Sequence, residues 1–574
     1  MKNRGIIYIA LFVVLGVYWN VFGHSFLRWD DDVYVTSRII FYQIASGNLS
    51  AFWSLLSPQE ALSGKFWEYF PMRDLTYALN AYFGGIHPQI FHTTNLILHL
   101  LTTWLVWFVG RRFGLASWSA SIAAACFGLH PLAVEPVAWV SGRKDLLYTF
   151  FILLTLVSFS SLRKDSKHFS FWRWSGVFLF ALFALLSKGA GAIVIVLLFW
   201  TLLHWIPRPQ WKKFSLILMP LFFLAVMWVL FSIKIGANNQ IINSNVSGRG
   251  TLTFIQRSFL AIGEPIWAFF HYFLPVQLSP SYLFSSRVND WWTDLYTWMM
   301  LLIVLFAFLQ YRKKRFLPFP FWVLGASILS VIPSSGIISV SQYRADRFYY
   351  LFLVFFSLFL GWTIEYFRKY QRYIFIFLAC FLSFWSYQTF QYNKAWKNNF
   401  TLWSYVHNQE PQHPQANLHL GGIALRHGKF DVAEKLTLRA IKSKPNFPQA
   451  WNNLALIYLY KAGKKQIKRS EKKKIRLLKR AKKIFQRAFI AKAKNLTLPY
   501  YGLGRIAELT GKLKKAEALF RKGLKLQNTH PYILFALSNL LISSGRKEEA
   551  YYLLRQSQKR FPYDTRLQKW LKKY

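Results

Sequence analysis

Residues 5–35 read GIIYIALFVVLGVYWNVFGHSFLRWDDDVYV. Eighteen residues, 5–22, hold one polar side chain, Asn20, and a helix of about 20 apolar residues crosses a bilayer core. Three adjacent aspartates, Asp30, Asp31 and Asp32, follow almost at once. Carboxylates crowded beside a bilayer repel one another and are costly to keep charged, so the cluster points to a cation, a substrate or a base. This stretch therefore predicts a membrane-embedded helix whose outer end carries chemistry.

The pattern recurs. Apolar runs continue to about Phe390, near 5–22, 89–110, 117–134, 145–162, 172–187, 190–206, 214–234, 292–310, 317–333, 347–366 and 373–390, about eleven crossings. Basic clusters separate them: Arg111-Arg112, Arg163-Lys164 with Lys167, Arg208 with Lys212-Lys213, Arg312 to Arg315, and Arg368-Lys369 with Arg372. The positive-inside rule puts these, with Lys2 and Arg4, on the cytoplasmic face. The acids Asp30–Asp32, Asp74, Glu135, Asp145 and Asp346 then lie outside. Residues 259–274 break the alternation and are expected to be re-entrant or interfacial. No small-residue cleavage site precedes Trp29, so the first span is expected to stay in place.

Composition agrees. Of 574 residues 54% are hydrophobic and only 16% charged, with a mean hydropathy of +0.22, which excludes a soluble multidomain chain. The 19% aromatic content excludes disorder, and the two cysteines, Cys126 and Cys380, sit in apolar runs, which leaves no disulfide framework or zinc site. A net charge of +48 suggests nucleic acid, but much of the excess falls in the second half, which the loop charges place outside the cell; no nucleic acid partner is expected.

From about Asn393 a 34-residue period appears, the signature of tetratricopeptide helix pairs. Its register is Asn417, Leu420, Gly421, Ala433 and Ala440; then Trp451, Leu454, Ala455 and Tyr458, with Ala481, Phe485 and Ala488; then Tyr500, Leu503, Gly504, Ala516 and Phe520; then Leu534, Leu537, Ala550, Leu554 and Pro562. A very basic insertion, Lys464–Arg480, interrupts the second unit; it reads as a solvated helix face or a surface for an anionic partner. The expected organisation is all-α: a polytopic bundle over 1–392, then about four repeats over 393–574.

The outer face holds further polar groups. Arg73-Asp74 follow Tyr69-Phe70-Pro71; His92, Asn95 and His99 share one helix face; Glu135 lies between Pro131 and Pro136; Arg143 and Asp145 follow; Lys188 interrupts 185–191; Asp346-Arg347 precede the tenth run. The three residues at helical spacing are expected to tie helices together. Acids and bases gathered on one face suit an anionic, membrane-borne substrate.

The stretches WDDDVYV (29–35), YFPMRDLTYALNAYFGGIHPQIFHTTNLILH (69–99), HPLAVEPVAWVSGRKDLL (130–147), LLSKGAGA (185–192), ADRFYYL (345–351) and AWKNNFTLW (395–403) together resemble the transmembrane and tetratricopeptide-repeat O-mannosyltransferases and their bacterial relatives, in the C-type glycosyltransferase superfamily. Two departures stand out: Phe70-Pro71 where the family often has Arg-Pro, and Lys188-Gly189 at its Lys-Pro or Lys-Glu turn. The resemblance implies a polyprenyl-phosphate-linked sugar donor and a first outside loop that holds the catalytic acids. Asp30 and Asp31 are the leading base candidates, with Glu135 assisting. Asp32, Arg73, Arg143, Asp145, Lys188, Asp346 and Arg347 are the expected substrate contacts. The superfamily leaves open a divalent metal, Mg or Mn, which Asp30, Asp31 and Asp32 would hold. Implied partners are the lipid-linked donor, membrane lipid, and a protein or glycan acceptor on the repeats; the expected location is a bacterial inner membrane with the repeats outside. Two other readings stay open: an enzyme or export factor acting on envelope lipid or polysaccharide, and a non-enzymatic scaffold.

Overall fold

A computed structural model describes residues 5–62, 68–162, 171–238, 253–283, 295–302, 319–336, 344–463, 470–490, 497–526 and 531–560. The clusters Arg163–Lys167 and Arg312–Arg315, most of the expected span 292–310, and Pro562 lie outside them. The described elements are helical, and contacts divide the chain into two units, residues 1–398 and 399–574. The division falls later than 392 because helix Gln371–Ala395 runs on, and Trp396 is buried at 6.3 Å from the Trp139 ring.

Among the described residues of the first unit six helices are long and apolar enough to cross a membrane: Gly5–Gly23, Pro88–Arg112, Val140–Ser161, Arg208–Ile235, Asp346–Tyr366 and Tyr373–Ala395. Phe171–Ser187, Gly189–Trp205 and Phe319–Ser334 are shorter apolar helices. Helix Phe254–Phe273, which carries Arg257, buried Glu264 and Pro265, is not among the spans.

The expected third crossing is broken. Ser117–Gly128 and Pro131–Ala138 meet at 58°. Pro131 has no N–H to continue the first helix, and the residue before a proline is pushed out of helical geometry; His130 is extended at φ −75°, ψ 134°. The His130 ring then accepts from Leu132 N at 3.2 Å and meets Tyr272 O at 2.8 Å. Broken helices at membrane depth survive only where protein satisfies the freed backbone groups, and His130 does that here.

Between the first and second spans lies a helical cap rather than an open loop. Helices Ile39–Ala45, Ala51–Leu55 and Pro58–Leu62 lead to the longer Pro71–Gly84. Tyr34, Val35, Phe41, Ile44, Tyr77, Ala78, Ala81, Phe91 and Val140 form one buried apolar cluster beneath them.

The second unit opens with helix Asn399–Gln409 and continues as four pairs: Pro414–Arg426 with Phe430–Ser443, Pro448–Ala462 with Glu471–Ile490, Thr497–Leu509 with Leu513–Leu526, and Pro531–Ser543 with Lys547–Arg560. Close approach explains the small residues: a Cβ on Gly504 would lie 2.4 Å from the Phe520 ring. Of the basic segment Lys464–Arg480, residues 464–469 lie outside the described residues; 471–480 form the first half of a continuous 20-residue helix, with Leu478, Ala481, Ile484 and Phe485 buried.

Candidate active site

Consecutive residues after the first span take opposite tasks. Asp31 is buried, and its carboxylate is fully engaged: Oδ2 accepts from Leu27 N at 2.9 Å, and Oδ1 from Ser141 N at 3.0 Å and Ser141 Oγ at 2.6 Å. It pins the chain after the first span to the turn Val140–Gly142. That turn needs glycine, since a Cβ on Gly142 would stand 2.7 Å from Pro136 O. Burial pushes Asp31 up to about 7, against the pull of those three donors.

Asp30 is half-buried, and its carboxylate makes no side-chain hydrogen bond among the described residues. Lys144, Glu68, Arg347 and Asp32 are its charged neighbours. Burial raises Asp30 to about 6, with Lys144 and Arg347 pulling down and Glu68 and Asp32 pushing up. A carboxylate near 6 is mostly ionised at neutral pH yet basic enough to accept a proton. Arg28 acts electrostatically on Asp32, whose buried Oδ1 has no hydrogen-bond partner among the described residues.

Two anchors flank Asp30. On the cap side, Glu68 accepts from Lys144 Nζ at 2.9 Å and Arg73 Nη1 at 3.1 Å, and Tyr34 lies under both the Arg73 and the Lys144 cations. Burial would raise Glu68, but Lys144 and Arg73 overcome it and hold the carboxyl down at about 2. Arg73 also bonds Asp74, which binds Arg38 at 2.7 Å, and lies 4.4 Å over Tyr34. Arg73 is thus wholly buried inside the cap.

On the bundle side, Glu135 accepts from the Arg347 backbone N at 2.8 Å and from its Nη1; the guanidinium lies over Trp139 at 5.2 Å and Phe348 at 4.8 Å. Trp29 stacks on Trp139 at 4.7 Å. Lys188 Nζ reaches Asp145 Oδ1, over the Tyr148 and Phe348 rings, and the other oxygen of Asp145 is buried without a hydrogen-bond partner among the described residues. Asp346 accepts from Tyr282 at 2.6 Å and Tyr392 at 2.8 Å, joining the last helix to the site wall.

Asp30, Glu135, Asp145, Lys188 and Arg347 thus come together, and Asp31 supports them from beneath. The expectation for Arg143 does not fit. Its guanidinium is fully buried, giving Nε to Asn95 Oδ1 (2.7 Å), Nη1 to Asn80 Oδ1 (2.6 Å) and Nη2 to Phe91 O (2.6 Å). Each of its three nitrogens already donates to a protein acceptor, and the guanidinium is held in the core. The cation with the largest electrostatic pull on Asp30 is Lys144, the residue after Arg143. His99 meets Tyr350 and Gly128 O, and Asn95 reaches Trp139 O, so both tie helices together as expected; His92 is buried against His24.

Sequence reasoning missed Glu68, Lys144, Tyr34 and the pair Glu264–Arg344, which bonds at 2.8 Å and is joined by Tyr349. An acid in an apolar segment marked Glu264; Glu68 had no local signal. A metal on the three aspartates does not fit: Asp31 already accepts three hydrogen bonds from the protein, and among the described residues no three His, Cys, Asp or Glu groups converge.

Residues 418–466 and 499–530 match the tetratricopeptide-repeat family. Human protein O-mannosyl-transferase TMTC4 is 36% identical over 146 residues, 22% of this chain and 20% of its own length. Tmtc1 of Drosophila melanogaster is 32% identical over 138 residues, 24% and 15%. The chain thus spans a fifth or less of the length of these relatives. ArnT from Cupriavidus metallidurans, solved with undecaprenyl phosphate, aligns over 79% of this chain and 77% of its own at 14% identity, with a TM-score of 0.34. The chain is a multi-pass membrane protein that is similar, over 22–24% of its length, to protein O-mannosyl-transferases.

Proposed function

We propose that the chain is an integral-membrane glycosyltransferase that moves a sugar from a polyprenyl-phosphate-linked donor to an acceptor hydroxyl, on protein, at the extracytoplasmic face. The observation that carries this reading is Asp30: a half-buried carboxylate whose side chain makes no hydrogen bond among the described residues, raised to about 6 by burial, with Lys144, Arg347 and Glu68 among the charges that act on it.

Asp30 takes the proton from the acceptor hydroxyl as that oxygen bonds to the anomeric carbon from the side opposite the phosphate. The bond from anomeric carbon to phosphate oxygen breaks, its electron pair leaves with the lipid phosphate, and the configuration inverts. Lys144, Arg347 and Lys188 neutralise the departing phosphate, since fixed cations in a site shielded from water act where charge develops. Glu68, Glu135 and Asp145 hold those cations in place. Asp31 is a positioning residue: it sets the backbone that presents Asp30. A scaffold has no need to gather these acids and bases at one point, which favours the enzyme.

The repeats recruit the acceptor, because stacked helix pairs make a groove for an extended chain while a prenol tail stays in the bilayer. The five basic loops, with the odd number of expected crossings, support an extracytoplasmic repeat unit, and the departures at Phe70-Pro71 and Lys188-Gly189 with the compact set of repeats support a bacterial inner membrane. The test is transfer of labelled sugar from polyprenyl-phosphate donors by the purified chain in detergent. Sugar bonded to protein, together with free polyprenyl phosphate, supports the proposal. Failure with every hexose donor refutes it, and lack of digestion of 400–574 by protease outside spheroplasts refutes the topology. Removing 405–574 should spare donor binding and abolish transfer; unchanged transfer defeats the recruiting role.

A further inference from the structure

Helix Glu471–Ile490 carries a strip of six cations that make no ion pair among the described residues. Lys472, Arg476, Lys479, Arg480, Lys483 and Arg487 follow at spacings of four, three, one, three and four, and at 100° per residue they fall in one strip about 22 Å long. All six are exposed, on the side away from Leu478, Ala481, Ile484 and Phe485, which face the core. The helix's only ion pair among the described residues is Lys474 with Glu471. Arg480 lies 4.6 Å over Tyr458 and Arg487 5.8 Å over Trp451, so the neighbouring helix Pro448–Ala462 steadies two members of the strip.

We propose that this strip docks on an anionic phospholipid surface. Charge is the first support: residues 399–574 hold 38 Lys and Arg against 9 Asp and Glu, and each cation near an anionic bilayer adds attraction. Ile475 is the second. It is 44% exposed beside the strip among lysines, the combination of basic and apolar residues that inserts at a lipid interface and that a soluble polyanion would not require. Third, the repeat unit starts at Asn399, four residues after the spanning helix Tyr373–Ala395, so a short tether holds it at high effective concentration near a bilayer. The inference stands whichever reaction the first unit performs.

The experiment is lysine footprinting of the full chain in nanodiscs with an amine-reactive ester. In discs containing about 30% phosphatidylglycerol, Lys472, Lys479 and Lys483 should label about tenfold more slowly than in pure phosphatidylcholine, as several cations acting together require. Lys429 and Lys547, exposed away from this helix, should label alike in both. About 0.5 M salt should remove the difference, because it shortens the screening length to a few ångströms. The exposed triple variant K472Q/R476Q/K479Q should fold as the wild type does and lose protection at Lys483. Equal labelling in both discs overturns the proposal. So does protection by soluble polyglutamate in phosphatidylcholine discs without protection by phosphatidylglycerol, which would assign the strip to an acidic polymer.

Discussion

Replacing Asp30 by asparagine should raise the stability of the fold while abolishing transfer. In the fold burial lifts the carboxyl from 3.8 to about 6, so the folded chain holds that proton more tightly than the unfolded one. Stability therefore falls as pH rises from about 4 to about 6, and at pH 7 the ionised carboxylate carries the whole penalty. A shift of about two units at about 1.4 kcal/mol each amounts to about 3 kcal/mol, and partial exposure reduces it to about 1–3. Asparagine has nearly the same shape and no charge to desolvate. Thermal unfolding in detergent should place Asp30→Asn above the wild type at pH 7, with the gap about halved at pH 5 by the same linkage. Transfer should drop by a factor of about 10² or more, the usual contribution of a positioned general base. Asp31→Ala is the contrast: it leaves Leu27 N, Ser141 N and Ser141 Oγ without their acceptor, at about 1–3 kcal/mol each, partly offset by removal of a buried charge, so it should lower stability. An Asp30→Asn protein that transfers sugar at the wild-type rate refutes the base. One that unfolds more readily than the wild type refutes the account of its environment.

Glu68→Gln removes a negative charge that holds Asp30 up, so the acid limb of the kcat/KM profile should move below about pH 6; an upward move would refute the coupling. Arg143→Lys keeps the charge but cannot span Asn95, Asn80 and Phe91 O, so it should lower thermal stability by about 2–4 kcal/mol and leave the KM for donor unchanged in the folded fraction; a raised KM with unaltered stability would return Arg143 to the substrate. Gly142→Ala puts a methyl against Pro136 O, displacing Ser141 from Asp31, and should cut kcat at least tenfold; wild-type kcat would show that the turn does not set the site.

Much of this organisation was written locally. Apolar length after Gly5, the aspartates at 30–32, and the 34-residue register through Gly421 and Gly504 needed no partner to be read, because bilayer thickness and close helix packing act on neighbours in the chain. The division of labour within the site was not local. Asp30 and Asp31 are adjacent and chemically alike; one is the base candidate and the other a clamp because Ser141, 110 residues away, folds over Asp31 alone. Arg143 and Lys144 begin one helix, where successive side chains point about 100° apart, so one enters the core and the other acts electrostatically on Asp30. Arg347 finds Glu135 across 212 residues, and Glu68 gains its meaning only where Lys144 and Arg73 meet it. Sequence alone thus determined which residue types lie at the membrane face. Tertiary structure decided which of them are free to react, because burial and hydrogen bonding depend on partners brought from distant parts of the chain.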